Sequence, residues 1–441
     1  MSAPVTVEST EDDRTQGSLE YKSEKVAAKT EDETADIILP DVWSAEYPDG
    51  GVSAWLVVFG GVCTTFSTFG YVNAWGVFQA YYEETLLKDS SASNIAWIGS
   101  VQYSMIFVPA LVSGHFFDRG HFKIPFFIAS VLIVAATFLV AQCTQYWHFL
   151  LCQGFATGLG SGILFGPINA VMGHWFKKKR GLATGFLATG SSIGGTVFPI
   201  VARNLIPRVG FPWTMRIFGF ILLCSLGVAN LTVRRRLPPK ETGGLFNPIA
   251  FRNHAYTVYC LGGIVAFLGL YTLLTYIDIS ATSVGISSDF AFYLISIANA
   301  ASLFGRLVAG VTTDKFGAVN VISPMTAVAA IMTYVWPLAR SKGSFVAIAL
   351  IYGFSSGVYV SSFILPMYHL GDIEDMGRRS GMAMTLTAFG AVAGPPISGA
   401  INTATGGYTA VGYYAGSMIL FAIVLMLISR HLVLRQLWGK F

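Results

Sequence analysis

The sequence predicts an all-α membrane protein with twelve transmembrane helices in two six-helix bundles. Three observations carry this expectation. Hydrophobic residues make up 53% of the 441 residues and charged residues 12%, with a mean hydropathy of +0.58. A soluble domain carries about 25% charged residues. Apolar runs long enough to cross a bilayer, about 20 residues each, recur twelve times along the chain. The second half also repeats features of the first at a nearly constant offset. This composition excludes most soluble enzymes and nucleic-acid binders of ordinary composition. The runs are too long, and lack the alternation, for a strand barrel.

The elements follow in order. Residues 1–52 hold 13 acidic and 4 basic side chains. They carry too little apolar surface to offset ordering entropy, so a disordered acidic cytoplasmic tail is expected. They have no basic start followed by an apolar stretch, so no secretory signal is read there. Spans at 54–80, 94–115, 124–143, 147–173, 181–206 and 213–233 make an N-terminal bundle over 53–233. The connection 234–255 is the longest between spans and is basic, with Arg234, Arg235, Arg236, Lys240 and Arg252. Spans at 256–279, 290–312, 319–339, 344–368, 380–401 and 409–430 make a C-terminal bundle over 256–434, leaving a short tail at 435–441. With the N-terminus inside, 17 bases after residue 52 fall in inner segments and 6 in outer ones. That bias orients both termini to the cytoplasm. The cell membrane is the expected location, with a vacuolar or other internal membrane as the alternative. The five cysteines lie in or beside apolar stretches without CxxC spacing, as small buried hydrophobes do.

The repeat is specific. Gly114-His115-Phe116-Phe117-Asp118-Arg119-Gly120 after the second span matches Gly310-Val311-Thr312-Thr313-Asp314-Lys315 after the eighth. Gly154, Gly158 and Pro167 recur as Gly353, Gly357 and Pro366, an offset of 199. Gly181, Gly190 and Gly194 recur as Gly381, Gly390 and Gly394, an offset of 200. A parallel six-plus-six repeat places a solute site between the halves near mid-membrane.

With these motifs the sequence resembles the major facilitator superfamily, whose inner-loop signature G-x-x-x-D-R-x-G-R-R is similar to Gly114–Gly120 and its sequel. The final basic pair is replaced here by Phe122-Lys123. Within the superfamily it resembles the monocarboxylate porters. Pro48-Asp49-Gly50-Gly51 with Trp55 is similar to that family's opening before the first span. Trp175-Phe176-Lys177-Lys178-Lys179-Arg180-Gly181-Leu182-Ala183-Thr184-Gly185, running on to Gly190 and Gly194, is similar to its fifth-span start. Asn73 stands where animal carriers have lysine, and Ser302 stands where they have aspartate four residues before the arginine. Asn73-Ala74-Trp75-Gly76-Val77-Phe78-Gln79 looks like the fungal branch, which includes riboflavin and organic-acid carriers and exporters encoded beside natural-product pathways. These departures argue against simple lactate–proton symport.

Arg306 is the most informative single residue. A charge inside a span costs several kcal/mol unless paired or hydrated, so it is a functional candidate by default. A guanidinium grips a carboxylate through two parallel hydrogen bonds; the competing reading is a brace for the inner gate. Asn299 and Ser302 precede it by seven and four residues, on nearly the same helix face. Asn73, with Thr64, Thr65, Ser67 and Thr68, makes the first span more polar than lipid contact allows. Gln102 and Tyr103 are weaker solute-binding candidates. Asp118 with Arg119, and Asp314 with Lys315, are gate candidates by ion pairing and helix-end contact. Gly154, Gly158, Gly162 and Gly166 form a smooth stripe for helix packing. Gly190 and Gly194 fit G-x-S-x-G but lie within an apolar helix, so they too read as packing and not as a nucleophile elbow.

The expected function is secondary active transport of a small organic solute, monocarboxylate-like or a pathway metabolite, by alternating access. An efflux pump for a fungal secondary metabolite is the alternative within this class, and a non-transporting nutrient sensor is the alternative outside it. Neither catalysis, cofactor, metal nor nucleic acid is expected. A proton is a candidate coupling ion, the bilayer is the obligate partner, and a monomer is expected.

Overall fold

The computed structural model describes residues 47–239, 243–436 and 439–441. Residues 1–46, most of the segment expected to be an acidic tail, and Lys240 lie outside the described residues. No β-strand occurs among the described residues. Twelve helices are long and apolar enough to span a membrane. They are α1 Gly51–Leu86, α2 Asn94–Asp118, α3 Lys123–Val140, α4 Tyr146–Trp175, α5 Arg180–Val209 and α6 Phe211–Thr232 in the first half. The second half has α7 His254–Ser283, α8 Ser288–Phe316, α9 Ala318–Leu338, α10 Lys342–Tyr368, α11 Ile373–Thr405 and α12 Tyr408–Leu434.

The expected spans and the observed helices agree in number and place. The largest difference is at α11, expected from 380 and observed from Ile373. An apolar run cannot contain Arg378 and Arg379. The helix contains them because Asp375 pairs with Arg378 and lies 3.8 Å from Arg379, within the same helical turn. Helices end where backbone chemistry stops them: Gly210 after α5 and Gly317 after α8 take φ of +80° and +91°, conformations that suit glycine.

Four inward-facing helices are interrupted. A π turn at Phe66–Gly70 precedes a break in α1 at Asn73–Ala74. The break in α7 falls at Tyr271, the repeat-equivalent depth. In α2 the helix breaks at Val108–Pro109, since proline has no N–H to donate. Thr385 of α11 satisfies that break: its hydroxyl donates toward the Phe107 and Val108 carbonyls (3.2 and 3.1 Å) and accepts from the Leu111 N–H (3.3 Å). A fourth interruption, in α10, falls at Phe363–Ile364 before a short 3-10 turn.

Glycines set how closely helices approach. A Cβ on Gly194 of α5 would lie 2.6 Å from the Gly70 Cα of α1, and one on Gly394 of α11 would lie 2.6 Å from the Leu268 carbonyl of α7. Gly185 of α5 approaches Gly310 of α8 in the other half (Cβ to Cα 2.9 Å), and Gly381 of α11 meets Ala110 and Leu111 of α2. Thus the early glycines of α5 and α11 approach the opposite half, and the later Gly194 and Gly394 pack against a helix of their own half. The repeated glycines occupy equivalent surroundings.

Candidate functional site

The end of the molecule that carries the Lys177–Arg180 turn, Arg234–Arg236, Arg378 and Arg379 is here termed the basic end. A central cavity lies between the halves. Eight helices contribute to it: α1, α2, α4 and α5 from one half and α7, α8, α10 and α11 from the other.

Arg306 lines this cavity and is 7% exposed. It sits ten residues before the end of α8 at Phe316, about 15 Å at a rise of 1.5 Å per residue. Its Nε donates to Ser302 Oγ at 3.1 Å, one turn earlier. Its Nη1 donates to the Ala188 carbonyl and to Ser191 Oγ, both on α5 of the other half. Arg306 therefore also ties α8 to α5, so the solute-anchor and brace readings meet in one side chain. No carboxylate lines the cavity among the described residues.

Asn73, Asn299, Ser302 and Tyr103 also line the cavity. Asn73 and Asn299 converge over Gly195 of α5: a Cβ there would lie 2.9 Å from Asn73 Nδ2 and 3.1 Å from Asn299 Cγ. The missing side chain makes room for both amides, and Asn299 Nδ2 donates to the Gly195 carbonyl at 3.3 Å. Gln102 is not among the residues that line the cavity. It is buried, and its backbone packs against Gly158 of α4. One residue is a 100° turn of a helix, so Tyr103 faces the cavity and Gln102 does not.

The sequence reading missed an aromatic collar. Tyr103 and Phe107 of α2 meet Tyr271 and Phe267 of α7 across the halves, with ring centroids 5.0 and 5.5 Å apart. Phe69 of α1 stacks edge-on against Phe165 and Phe107 at 4.6 and 5.6 Å. The signal was present in the sequence: aromatic pairs at i and i+4 recur at 103/107 and 267/271, one helix face each.

At the basic end the two repeated loops make matching contacts. The Asp118 carboxylate accepts from the N–H groups of Gly377 and Arg378 at 3.1 and 2.7 Å, at the start of α11. The Asp314 carboxylate accepts from Gly181 and Leu182 N–H at 2.7 and 2.9 Å, at the start of α5. Each acid at the end of one helix thus seats on the positive N-terminus of a helix in the other half. The expected ion pairing with the adjacent base is corrected here. The partners are backbone N–H groups, Lys315 is exposed, and Arg119 reaches the Gly243 carbonyl at 3.4 Å. Arg235, not singled out from sequence, donates to the Phe117 carbonyl at 2.6 Å and so supports the end of α2. Burial lowers the proton affinity of Arg235, and the nearby Asp118 opposes that shift. Tyr368 closes the same seam by donating to the Asn169 carbonyl at 2.7 Å, with Arg180 4.5 Å over its ring.

The small-residue stripe on α4 packs on α2. A Cβ on Gly154, Gly158 or Gly166 would meet the backbone of Ile98, Gln102 or Ala110, and one on Gly162 would meet Met105 and Pro109. Gly190 and Gly194 pack on α1 against Val62 and Gly70. No group of three or more His, Cys, Asp or Glu suited to a metal occurs among the described residues.

Comparison with known proteins places this arrangement in context. The sequence profile of the Major Facilitator Superfamily matches residues 60–372 and 259–437. The chain is similar to "MFS-type transporter 1" of Ophiocordyceps sp. (36% identity over 92% of this chain and 91% of that one). It is also similar to "Aspyridones efflux protein apdF" of Emericella nidulans (37% identity over 87% of this chain and 78% of that one). Among solved structures, the human organic anion transporter MFSD10 (TETRAN) superposes with a TM-score of 0.67 over 85% of this chain and 98% of that one, at 15% identity. That likeness concerns the fold.

Proposed function

From the premise that the chain belongs to the Major Facilitator Superfamily and is a membrane transporter of small solutes, we propose that it exports an acidic, ring-containing secondary metabolite. The observation that carries this reading is the cavity: one buried guanidinium, no carboxylate among the described lining residues, and aromatic rings on both walls. Arg306 holds the acidic group by charge-assisted hydrogen bonds. Asn73, Asn299 and Ser302 supply neutral hydrogen bonds, and the collar of Phe69, Tyr103, Phe107, Phe267 and Tyr271 covers the ring system.

Of the readings drawn from sequence, efflux is favoured over uptake of a monocarboxylate. The aspyridones efflux protein of Emericella nidulans is 37% identical over 87% of this chain, and aromatic rings line both walls of the cavity. The Pro48–Gly51 and Trp175–Gly194 motifs support descent from the monocarboxylate porters, and the Asn73–Gln79 run supports their fungal branch. The excess of bases supports a cytoplasmic basic end and cytoplasmic termini, and export out of the cell fits the cell membrane. The halves at 53–233 and 256–434 rock about the cavity. Release of Asp118 from α11 and of Asp314 from α5 opens the cytoplasmic side, and their return closes it. A proton or solute gradient drives the cycle, and one chain suffices.

The test compares metabolites inside and outside cells with and without the gene. Retention of an acidic aromatic compound inside the deletion strain, relieved by the wild-type gene and not by Arg306→Ala, is the expected result. A compound left unused in the medium of the deletion strain would reverse the direction. No difference across growth conditions would favour the sensor.

A further inference from the structure

A second cleft opens at the basic end, beside the closed seam and apart from the central cavity. Lys177, Lys178 and Arg180 line it from the α4–α5 turn, and Asp314, His369 and Lys440 from the other half, with about 900 Å³ between its walls. Four permanent cations face one side-chain carboxylate. That carboxylate is already engaged, since Asp314 spends both oxygens on the Gly181 and Leu182 N–H groups. The nearby Asp49 is also turned away, one of its oxygens accepting from the N–H groups of Lys177, Lys178 and Lys179 at 2.8, 2.7 and 3.1 Å.

Lys440 is held in place by its neighbours, and its ammonium gives one of its three donors to the Asp314 carbonyl. The Val319 N–H donates to the Phe441 carbonyl at 3.1 Å, and Asn320 and Arg430 donate to the Gly439 carbonyl at 2.7 and 3.0 Å. Phe441 is buried with its ring 5.9 Å from that of His369. Partial burial, then the charges of Arg180 and Lys440, lowers the proton affinity of His369, as a positive potential inside the cleft requires. Low-dielectric walls focus such a potential on an incoming anion.

We propose that this cleft binds a phosphate-bearing anion, which joins Lys177 and Lys178 of one half to Lys440 of the other and ties the halves at the closed end. A single carboxylate offers only two oxygens to the bases of the two walls. Phosphate groups offer three or more oxygens each to ammonium donors. A soluble polyphosphate and a phosphoinositide headgroup share this chemistry.

Full-length protein in detergent is titrated with inositol hexakisphosphate, and protein in phosphatidylcholine vesicles is compared with and without phosphatidylinositol 4-phosphate. The reading is the shift in melting temperature, with Lys178→Gln/Lys440→Gln beside the wild type and Lys88→Gln/Arg208→Gln as a charge-matched control. At least one probe raises the melting temperature of the wild type and the control. The cleft double variant melts as the wild type does without probe and binds at least about tenfold more weakly. A response to the soluble probe alone assigns a free polyphosphate, and one to the vesicles alone assigns a lipid headgroup; both support the site. No response to either probe, or equal responses in wild type and cleft variant, overturns it. No transported solute enters the measurement, so its outcome stands apart from the export reading.

Discussion

Among the described residues lining the cavity Arg306 is the only charged one, and its loss has a defined consequence. Arg306→Ala removes charge-assisted hydrogen bonds of about 1.5–3 kcal/mol each. Solute affinity should fall roughly 10- to 100-fold, read as an increased Kd on purified protein. The fold should survive, because Ser191 Oγ donates to the Ala188 carbonyl at 2.9 Å without the guanidinium. Normal affinity in a correctly delivered variant would remove the anchor. Phe267→Ala opens the collar opposite Phe107 and Tyr271. An aromatic pair contributes about 0.5–1.5 kcal/mol beyond area burial. Ring-containing solutes should therefore lose more affinity than aliphatic acids of equal charge, and equal losses would count against the collar. At this scale the sequence marked Arg306, Asn73, Asn299 and Ser302 because polar groups within spans are conspicuous. It left the collar unmarked because aromatics in spans are ordinary.

In the proposed cycle, helix ends and helix crossings carry the gate. Asp118→Asn keeps the shape of the side chain but removes its charge, and its NH2 accepts from neither N–H, leaving one oxygen where two accept from Gly377 and Arg378. Turnover should fall severalfold with solute Kd nearly unchanged, and an unchanged turnover would separate Asp118 from gating. Glycine crossings divide into two kinds. Gly190→Ala overpacks α5 on α1 inside one half, because its Cβ would collide with the Val62 carbonyl. Such overpacking costs about 1–3 kcal/mol, so the melting temperature should drop in every state. Gly185→Ala wedges α5 from α8 across the halves, where its Cβ would come 2.7 Å from the Arg306 carbonyl and 2.9 Å from Gly310 Cα. It should favour the state with the basic end open. Gly76, with nothing within 4 Å of a Cβ, is the neutral control as Gly76→Ala. The element pattern was legible early, since the offset of 199–200 residues aligned the glycines of α4, α5, α10 and α11.

In the proposed cycle the two acid-to-helix contacts of the two halves bias one equilibrium. Asp118→Asn/Asp314→Asn should therefore open the basic end more than either change alone. A Thr184→Cys reporter on the cavity wall reads this. Its labelling by an impermeant maleimide from the basic side should rise stepwise from wild type to single to double variant. Labelling that stays flat in the double variant would mean that these contacts do not hold the seam. The sequence by itself determined the class, the twelve spans and their repeat, because span length and hydropathy are properties of contiguous residues. Only the tertiary structure decided which neighbours in a span face the cavity, as with Tyr103 and Gln102, because a helix turns 100° per residue and its rotation is set by packing. It alone also showed that Asp118 and Asp314 seat on backbone N–H groups of the opposite half. Those partners lie more than 130 residues away in the chain, and only the fold brings them together.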